Sequence, residues 1–276
     1  MSDQALNAVL ARLTAKRDRI RRAPALPDAS LDSLFADYAL RHAHATTALE
    51  GNTLTLHETQ EVLESGTTIP GKSLREHLEV VNAHAAWLWL RQSLNQRTPF
   101  TEDTVLEIHR RLMQGILGDE AGFYRRIPVY ILGSRHVPPN PVKVPDLMTE
   151  WARSYTQGPG DQHPVAFAAH AHIDLAGIHP FQDGNGRTCR LVVNALLMQS
   201  GYPPALYSVA SRREYMSALE QAQVDHDPLP FIRVTATATE EMLNRWLHLI
   251  TEQTEATLKL SQNPHAQKTP KPHRGF

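Results

Sequence analysis

Apolar residues recur three and four apart along most of the chain. In MSDQALNAVLARLTAKRDRIRR, Leu6, Val9, Leu10 and Leu13 alternate with polar residues at this spacing, which predicts an amphipathic helix over 5–22. The same period, with its start and stop signals, predicts helices near 31–50, 55–65, 74–95, 102–116, 144–156, 164–177, 186–200, 212–224 and 229–258. Three S/T-x-x-E sequences, Thr55 to Glu58, Ser73 to Glu76 and Ser211 to Glu214, read as capping boxes, where hydroxyl and carboxylate satisfy the free amides of a helix start. The expected fold class is mainly α.

One segment breaks the helical period. In RRIPVYILGSRHVPPNP, Ile127, Val129 and Ile131 alternate around Gly133, and prolines on both sides prevent a helix, so a short β-hairpin is expected near 127–139. Such a hairpin is either a connector or an edge to which a partner chain adds as a strand. The closing SQNPHAQKTPKPHRGF is polar and proline-bearing, and is expected to be loose.

Composition narrows the class. A chain of 276 residues with a formal charge of −1 can bury a sizeable core and does not bind nucleic acid by general electrostatics. Cys189 is the only cysteine, which excludes an intrachain disulfide and a cysteine-cluster zinc site. The absence of a signal-like apolar run and of any stretch near 20 apolar residues points away from the membrane and toward a cytoplasmic setting. His170 and His172, two apart, project to different sides of a helix and make a poor zinc pair.

The chemistry concentrates in IHPFQDGNGRTCRLVV. From Gly186 to Gln199 the residues are apolar almost all round, as in a helix buried at the centre of a fold, and a glycine-rich turn precedes it. Free amides and the positive dipole end of such a helix form an anion site, which Arg187 and Arg190, three apart, would reinforce toward phosphate. Asp183 would repel phosphate alone, so a bridging Mg²⁺ is expected there. His179 stands where a base could take a proton from an attacking hydroxyl. Taken singly, each residue equally suits a glycine turn that merely starts a helix, with His179 an ordinary buried histidine.

His179, Phe181, Asp183, Gly184, Asn185, Gly186, Arg187 and Arg190 match the H-x-F-x-(D/E)-G-N-G-R-x-x-R signature without departure, and over roughly 31–245 the chain resembles Fic proteins. The resemblance implies a helical Fic core, with a hairpin flap, that moves AMP from ATP and Mg²⁺ onto a hydroxyl of a target protein. It implies His179 as general base and Phe181 as the core anchor of the loop. Asp183 would bind Mg²⁺, and Gly184, Asn185 and Gly186 would cradle the α- and β-phosphates. Arg187 would face the β- or γ-phosphate and Arg190 the γ-phosphate. Tyr215 would line the adenine pocket, where Met216 and Gln223 depart from the usual tyrosine and asparagine. Val129 and Ile131 would lie on the flap that holds the target by strand addition.

A second motif lies upstream, in TTALEGN. Glu50 falls at a helix end, where the dipole disfavours a carboxylate, and Thr46, four residues earlier, could steady it. An exposed acid at a helix end is the alternative. Thr46-x-x-x-Glu50-Gly51 resembles the inhibitory motif of Fic proteins, which implies that Glu50 pairs with Arg190 and disturbs the γ-phosphate site. The implied division is an N-terminal helix and linker (1–30), a region carrying the inhibitory helix (31–66), a Fic core (67–250) and a C-terminal end (251–276). The partners expected are ATP and an unidentified target protein, with self-modification and a homo-oligomer both compatible. Removal of AMP, transfer of another phosphate-containing group, and non-enzymatic nucleotide sensing are the competing functions.

Overall fold

The computed structural model describes residues 3–96 and 100–261. Among them the chain forms ten α-helices: α1 (Asp3–Arg22), α2 (Asp28–Ala48), α3 (Leu56–Ser65), α4 (Leu74–Asn95), α5 (Glu102–Leu112), α6 (Val144–Tyr155), α7 (Pro164–Ile178), α8 (Asn185–Gln199), α9 (Arg212–Val224) and α10 (Leu229–Ser261). Every helix expected from periodicity is present. Among the described residues, no helix is long and apolar enough to cross a membrane. The expectation of a loose C-terminal stretch falls mostly outside the described residues.

α8 is central because its sequence leaves it no polar face. Residues from Asn185 to Leu197 are buried except Gly186, and α7 packs along α8 with α4 and α5 against its other sides. One polar group it buries is fully matched: Asn194 donates to the Tyr38 hydroxyl at 2.8 Å and accepts from the Ala205 amide at 2.8 Å. α1 lies on α10, where Arg12 and Lys16 reach Glu240 and help attach the first helix. Cys189 is buried, which pushes its thiol up to about 12 and leaves it chemically quiet.

Two local expectations need correction. No strand forms over 127–139; this arm is an extended loop with a turn at Leu132 and Gly133, and Ser134 donates its amide to Ile131 O at 3.1 Å. Pro128 on one side and Pro138 and Pro139 on the other remove ladder donors, and an isolated two-stranded ribbon is marginal at best. The capping boxes at Thr55/Glu58 and Ser73/Glu76 form, but the one at Ser211 does not. Ser211 ends a 3₁₀ turn and donates to Ser208 O, while Glu214 pairs with Arg233 at 3.2 Å.

Burial of histidines sets the acid response. Loss of solvent lowers His42 and His172 to about 3 and His109 to about 4. Each folded value lies below the ordinary 6.5, so the unfolded chain binds more protons between these limits, and stability falls as pH drops from about 6.5 toward 4. The expected result is a urea midpoint clearly lower at pH 4.5 than at pH 7.5, with each histidine contributing on the order of 2 kcal/mol. Equal midpoints would contradict this account of the core.

Candidate active site

The signature loop joins α7 to α8 and is held from within. His179 ends α7 in the left-handed region, at φ 50° and ψ 59°, which turns the chain sharply away from the helix. Phe181 is fully buried and stacks face to face on His109, with ring centroids 3.7 Å apart. His109 accepts the Gly122 amide at Nδ1 (2.9 Å) and therefore presents Nε2–H to Asp183 O (3.0 Å). Asn185 ties the loop to itself through both of its side-chain atoms, Oδ1 to the Phe181 amide and Nδ2 to Phe181 O, each at 2.9 Å. Gly184 caps α8 at φ 78°, and a Cβ there would lie 2.6 Å from Met113 Sδ, so this turn requires glycine.

His179 is kept neutral. Burial, with help from the nearby charge of Arg125, lowers His179 to about 4, so its imidazole is unprotonated at pH 7. Nδ1 lies 3.3 Å from Ala176 O, the arrangement in which Nδ1 donates and Nε2 keeps its lone pair. Arg125 is buried and grips backbone carbonyls: His179 O at 2.8 Å, Pro139 O at 2.6 Å and Ile127 O at 3.2 Å. It thus joins His179 to both roots of the arm.

The two arginines face different acids. Arg190, 1% exposed, donates Nη2 to Glu50 Oε1 at 2.7 Å and to Thr46 O at 2.7 Å, Nε to Thr46 Oγ1 at 2.8 Å and Nη1 to the Tyr215 hydroxyl at 3.3 Å. Glu50 and Arg190 therefore meet, as the resemblance to the inhibitory motif implied. Two details differ: Glu50 sits in the turn just after α2, and Thr46 binds Arg190 and does not steady the carboxylate. Arg190 and Arg212, which donates to Leu49 O at 2.9 Å, supply the positive charge that the end of α2 lacks in its own sequence. Glu50 Oε1 also lies against the first turn of α8, where a Cβ on Gly186 would come within 2.3 Å of it.

Arg187, 2% exposed, lies 3.1 Å from Glu79 and donates to Asp183 Oδ1 at 3.1 Å. Its Nε and Nη1 have no hydrogen-bond partner among the described residues. Arg75 donates to Asp183 Oδ2 and, through Nε, to Glu79 Oε1 at 3.1 Å. Asn52 donates to Glu79 Oε2 at 3.0 Å, which links the segment just after Glu50 to the same cluster. Burial opposes the charge of Asp183, but Arg187, the Gly184 amide and Arg75 outweigh it and hold the carboxyl below its ordinary value.

This geometry has close counterparts. Residues 99–197 match the family described as Fic/DOC. Fic-1 (residues 134–508) from C. elegans superposes with a TM-score of 0.80 at 33% identity, covering 90% of this chain and 73% of that one. The chain belongs to the Fic/DOC family. A Fic-domain signaling protein from Bacteroides thetaiotaomicron has the same fold, with a TM-score of 0.80 at 25% identity, over 88% of this chain and 97% of that one. Protein adenylyltransferase Fic of Culex quinquefasciatus is 37% identical over 255 residues, and that of Nematostella vectensis 38% over 245, covering 91% and 87% of this chain. The chain spans about half the length of these curated relatives, 50% and 56% respectively.

Within this Fic fold, His179 at the end of α7 is followed by Asp183, Gly184, Asn185, Gly186, Arg187 and Arg190 at the start of α8, and Arg190 meets Thr46 of α2 and Glu50 of the turn after it. Val129 and Ile131 are half-buried on the arm, whose far side is pinned to α9 by Glu220, which accepts from the Ser134 hydroxyl and the Arg135 amide. Tyr215 is 2% exposed, and its hydroxyl bridges Arg190 and His172 Nε2, so it supports the arginine from below and is not open to a base. Sequence reasoning missed Arg75, Glu79, Asn52, His109 and Arg125. Arg75 and Glu79 carried a weak signal, an Arg and a Glu four apart at a helix start, which ordinarily reads as a solvated pair.

Proposed function

We propose that the chain is a protein adenylyltransferase held in a restrained state by Glu50. The observation that carries this reading is the convergence of the α8 N-terminal amides with buried Arg187, whose Nε has no partner among the described residues, beside a neutral His179. An anionic ligand with several oxygens would satisfy those donors, and a phosphate chain of ATP has that chemistry. The amides of Gly184, Asn185 and Gly186 would face the α- and β-phosphates, with Arg187 and Arg190 toward the β- and γ-phosphates. A target hydroxyl would attack the α-phosphorus while His179 Nε2 takes its proton; an ester bond to AMP forms, the α–β bridging bond breaks, and pyrophosphate leaves.

Asp183 suits a hard cation. Among the described residues no group of three or more His, Cys, Asp and Glu could hold a metal alone, whereas Mg²⁺ in nucleotide sites takes one or two carboxylates and completes its shell with phosphates and water. When bound, the cation would neutralise charge on the phosphates. A cavity of about 340 Å³ beside the arm, lined by His136, Ile173, Gly177 and Gln223 among others, is the proposed place for the base. Gln223 Nε2, without a partner among the described residues, is a donor for a ring nitrogen or carbonyl there.

The arm is proposed to hold the target as an added strand, since its extended backbone forms no strand ladder among the described residues. Val129→Pro or Ile131→Pro is expected to lower target modification at least tenfold and to change nucleotide affinity less than twofold. Equal losses in both assays would remove the arm from target binding.

Removal of AMP is the second reading. Glu50 Oε2 accepts no hydrogen bond among the described residues, so this oxygen is free to orient a water toward a phosphate ester. Incubating wild type and Glu50→Gly with an AMP-modified target separates the readings: release of AMP only by wild type supports removal, and transfer from ATP by Glu50→Gly supports adenylylation.

A further inference from the structure

Asp183 is not free to receive a cation. Its Oδ1 already accepts from the Gly184 amide and from Arg187, and its Oδ2 accepts from Arg75. Arg187 is buried and Arg75 is not, with side chains 2% and 54% exposed, so the two guanidiniums differ in how easily they leave. Oδ2 is therefore the oxygen that becomes available first. A guanidinium within hydrogen-bond distance of it fills the lone-pair direction a divalent cation needs and adds like charge at close range.

Resting on the proposed nucleotide site, we propose that Arg75 sets its divalent-cation affinity by competing for Asp183 Oδ2. Arg75 stands in the first turn of α4 and bridges Glu79 on its own helix to the loop before α8. Glu79 keeps Asn52 and Arg187 when Arg75 swings into solvent, so release leaves no buried acid alone. This restraint shares no hydrogen-bond partner with Arg190, whose partners are Glu50, Thr46 and Tyr215. It would act on the cation and not on the γ-phosphate, although Asn52, two residues after Glu50, touches the same Glu79.

The test uses the full chain carrying Glu50→Gly and measures, by calorimetry, binding of a non-hydrolysable α,β-methylene ATP as Mg²⁺ is titrated. Adding Arg75→Ala is expected to lower the Mg²⁺ concentration for half-saturation about fivefold, the scale of losing one half-exposed ion pair, with analogue affinity unchanged at saturating Mg²⁺. Arg75→Lys, which keeps the charge but not the fork, is expected to fall between the two. Both variants should melt within a few degrees of their parent, since the side chain is half exposed. An unchanged Mg²⁺ requirement in both variants would overturn the competition. A weaker analogue affinity at saturating Mg²⁺ would also overturn it, and would make Arg75 a phosphate ligand. If the parent's binding showed no Mg²⁺ dependence, or Asp183→Asn left that dependence unaltered, the nucleotide-metal reading itself would fail together with this inference.

Discussion

Glu50→Gly is expected to bind ATP and Mg²⁺ at least tenfold more tightly than wild type and to label itself with AMP when no other target is supplied. Arg190 is almost wholly buried, and one of its amino groups is committed to the Glu50 carboxylate at 2.7 Å. The same carboxylate lies against Gly186, in the first turn of the helix whose amides would meet phosphate. On the proposed reading, Glu50 would oppose a nucleotide twice, by occupying the arginine and by placing negative charge where phosphate would bind. Either effect alone is worth a kcal/mol or so, and about 1.4 kcal/mol is tenfold in affinity. The variant should also be less stable without ligand by about 1–3 kcal/mol, because a buried guanidinium loses its one carboxylate partner among the described residues. Added ATP should restore part of that loss. Calorimetry and melting with and without nucleotide check both parts, and unchanged affinity in a folded Glu50→Gly protein would remove Glu50 as the restraint.

In the Glu50→Gly background, replacing His179 is expected to lower AMP transfer at least 100-fold while nucleotide affinity changes less than threefold. A general base contributes roughly 10²–10⁴ in rate and holds no phosphate. The choice of substitution matters, because position 179 has φ 50° and ends α7. Alanine keeps the Cβ that makes this conformation costly and offers no polar side chain to support it, whereas asparagine tolerates the left-handed region and removes the imidazole as completely. His179→Asn is therefore the informative variant, with His179→Ala beside it. Label incorporation from α-labelled ATP and analogue binding are the two readouts. Near-normal transfer by folded His179→Asn would show that another group takes the proton.

The helices and the signature loop were legible in the sequence for a physical reason. Each helix buries one face or, in α8, all of them, and the 3.6-residue period records that burial directly. The loop was legible because its demands are local: Gly184 needs a left-handed turn, and Asn185 bonds back four residues to Phe181. The Glu50–Arg190 pair joins residues 140 apart, and periodicity alone left Glu50 as a plain helix-end acid. It was legible through the resemblance of its motif. The cluster of Arg75, Glu79, Asn52, Asp183 and Arg187 was not legible, since its members come from three separate segments that are ordinary in themselves. Arg125 was hidden differently, because its partners are backbone carbonyls, which no residue identity announces. The arm misled because alternating apolar residues suggested a hairpin, while Pro128, Pro138 and Pro139 removed the donors a ladder needs.

The most direct test of adenylyl transfer restrained by Glu50 is the fate of each phosphate of ATP. Wild type, Glu50→Gly and Glu50→Gly with Arg190→Ala are incubated with Mg²⁺ and with ATP labelled at either the α- or the γ-phosphate, and label bound to protein is counted after denaturation. The account predicts covalent label from the α-position only, strong in Glu50→Gly, weak in wild type and lost again in the double variant. Label from the γ-position, or no α-label on folded Glu50→Gly protein, would contradict it.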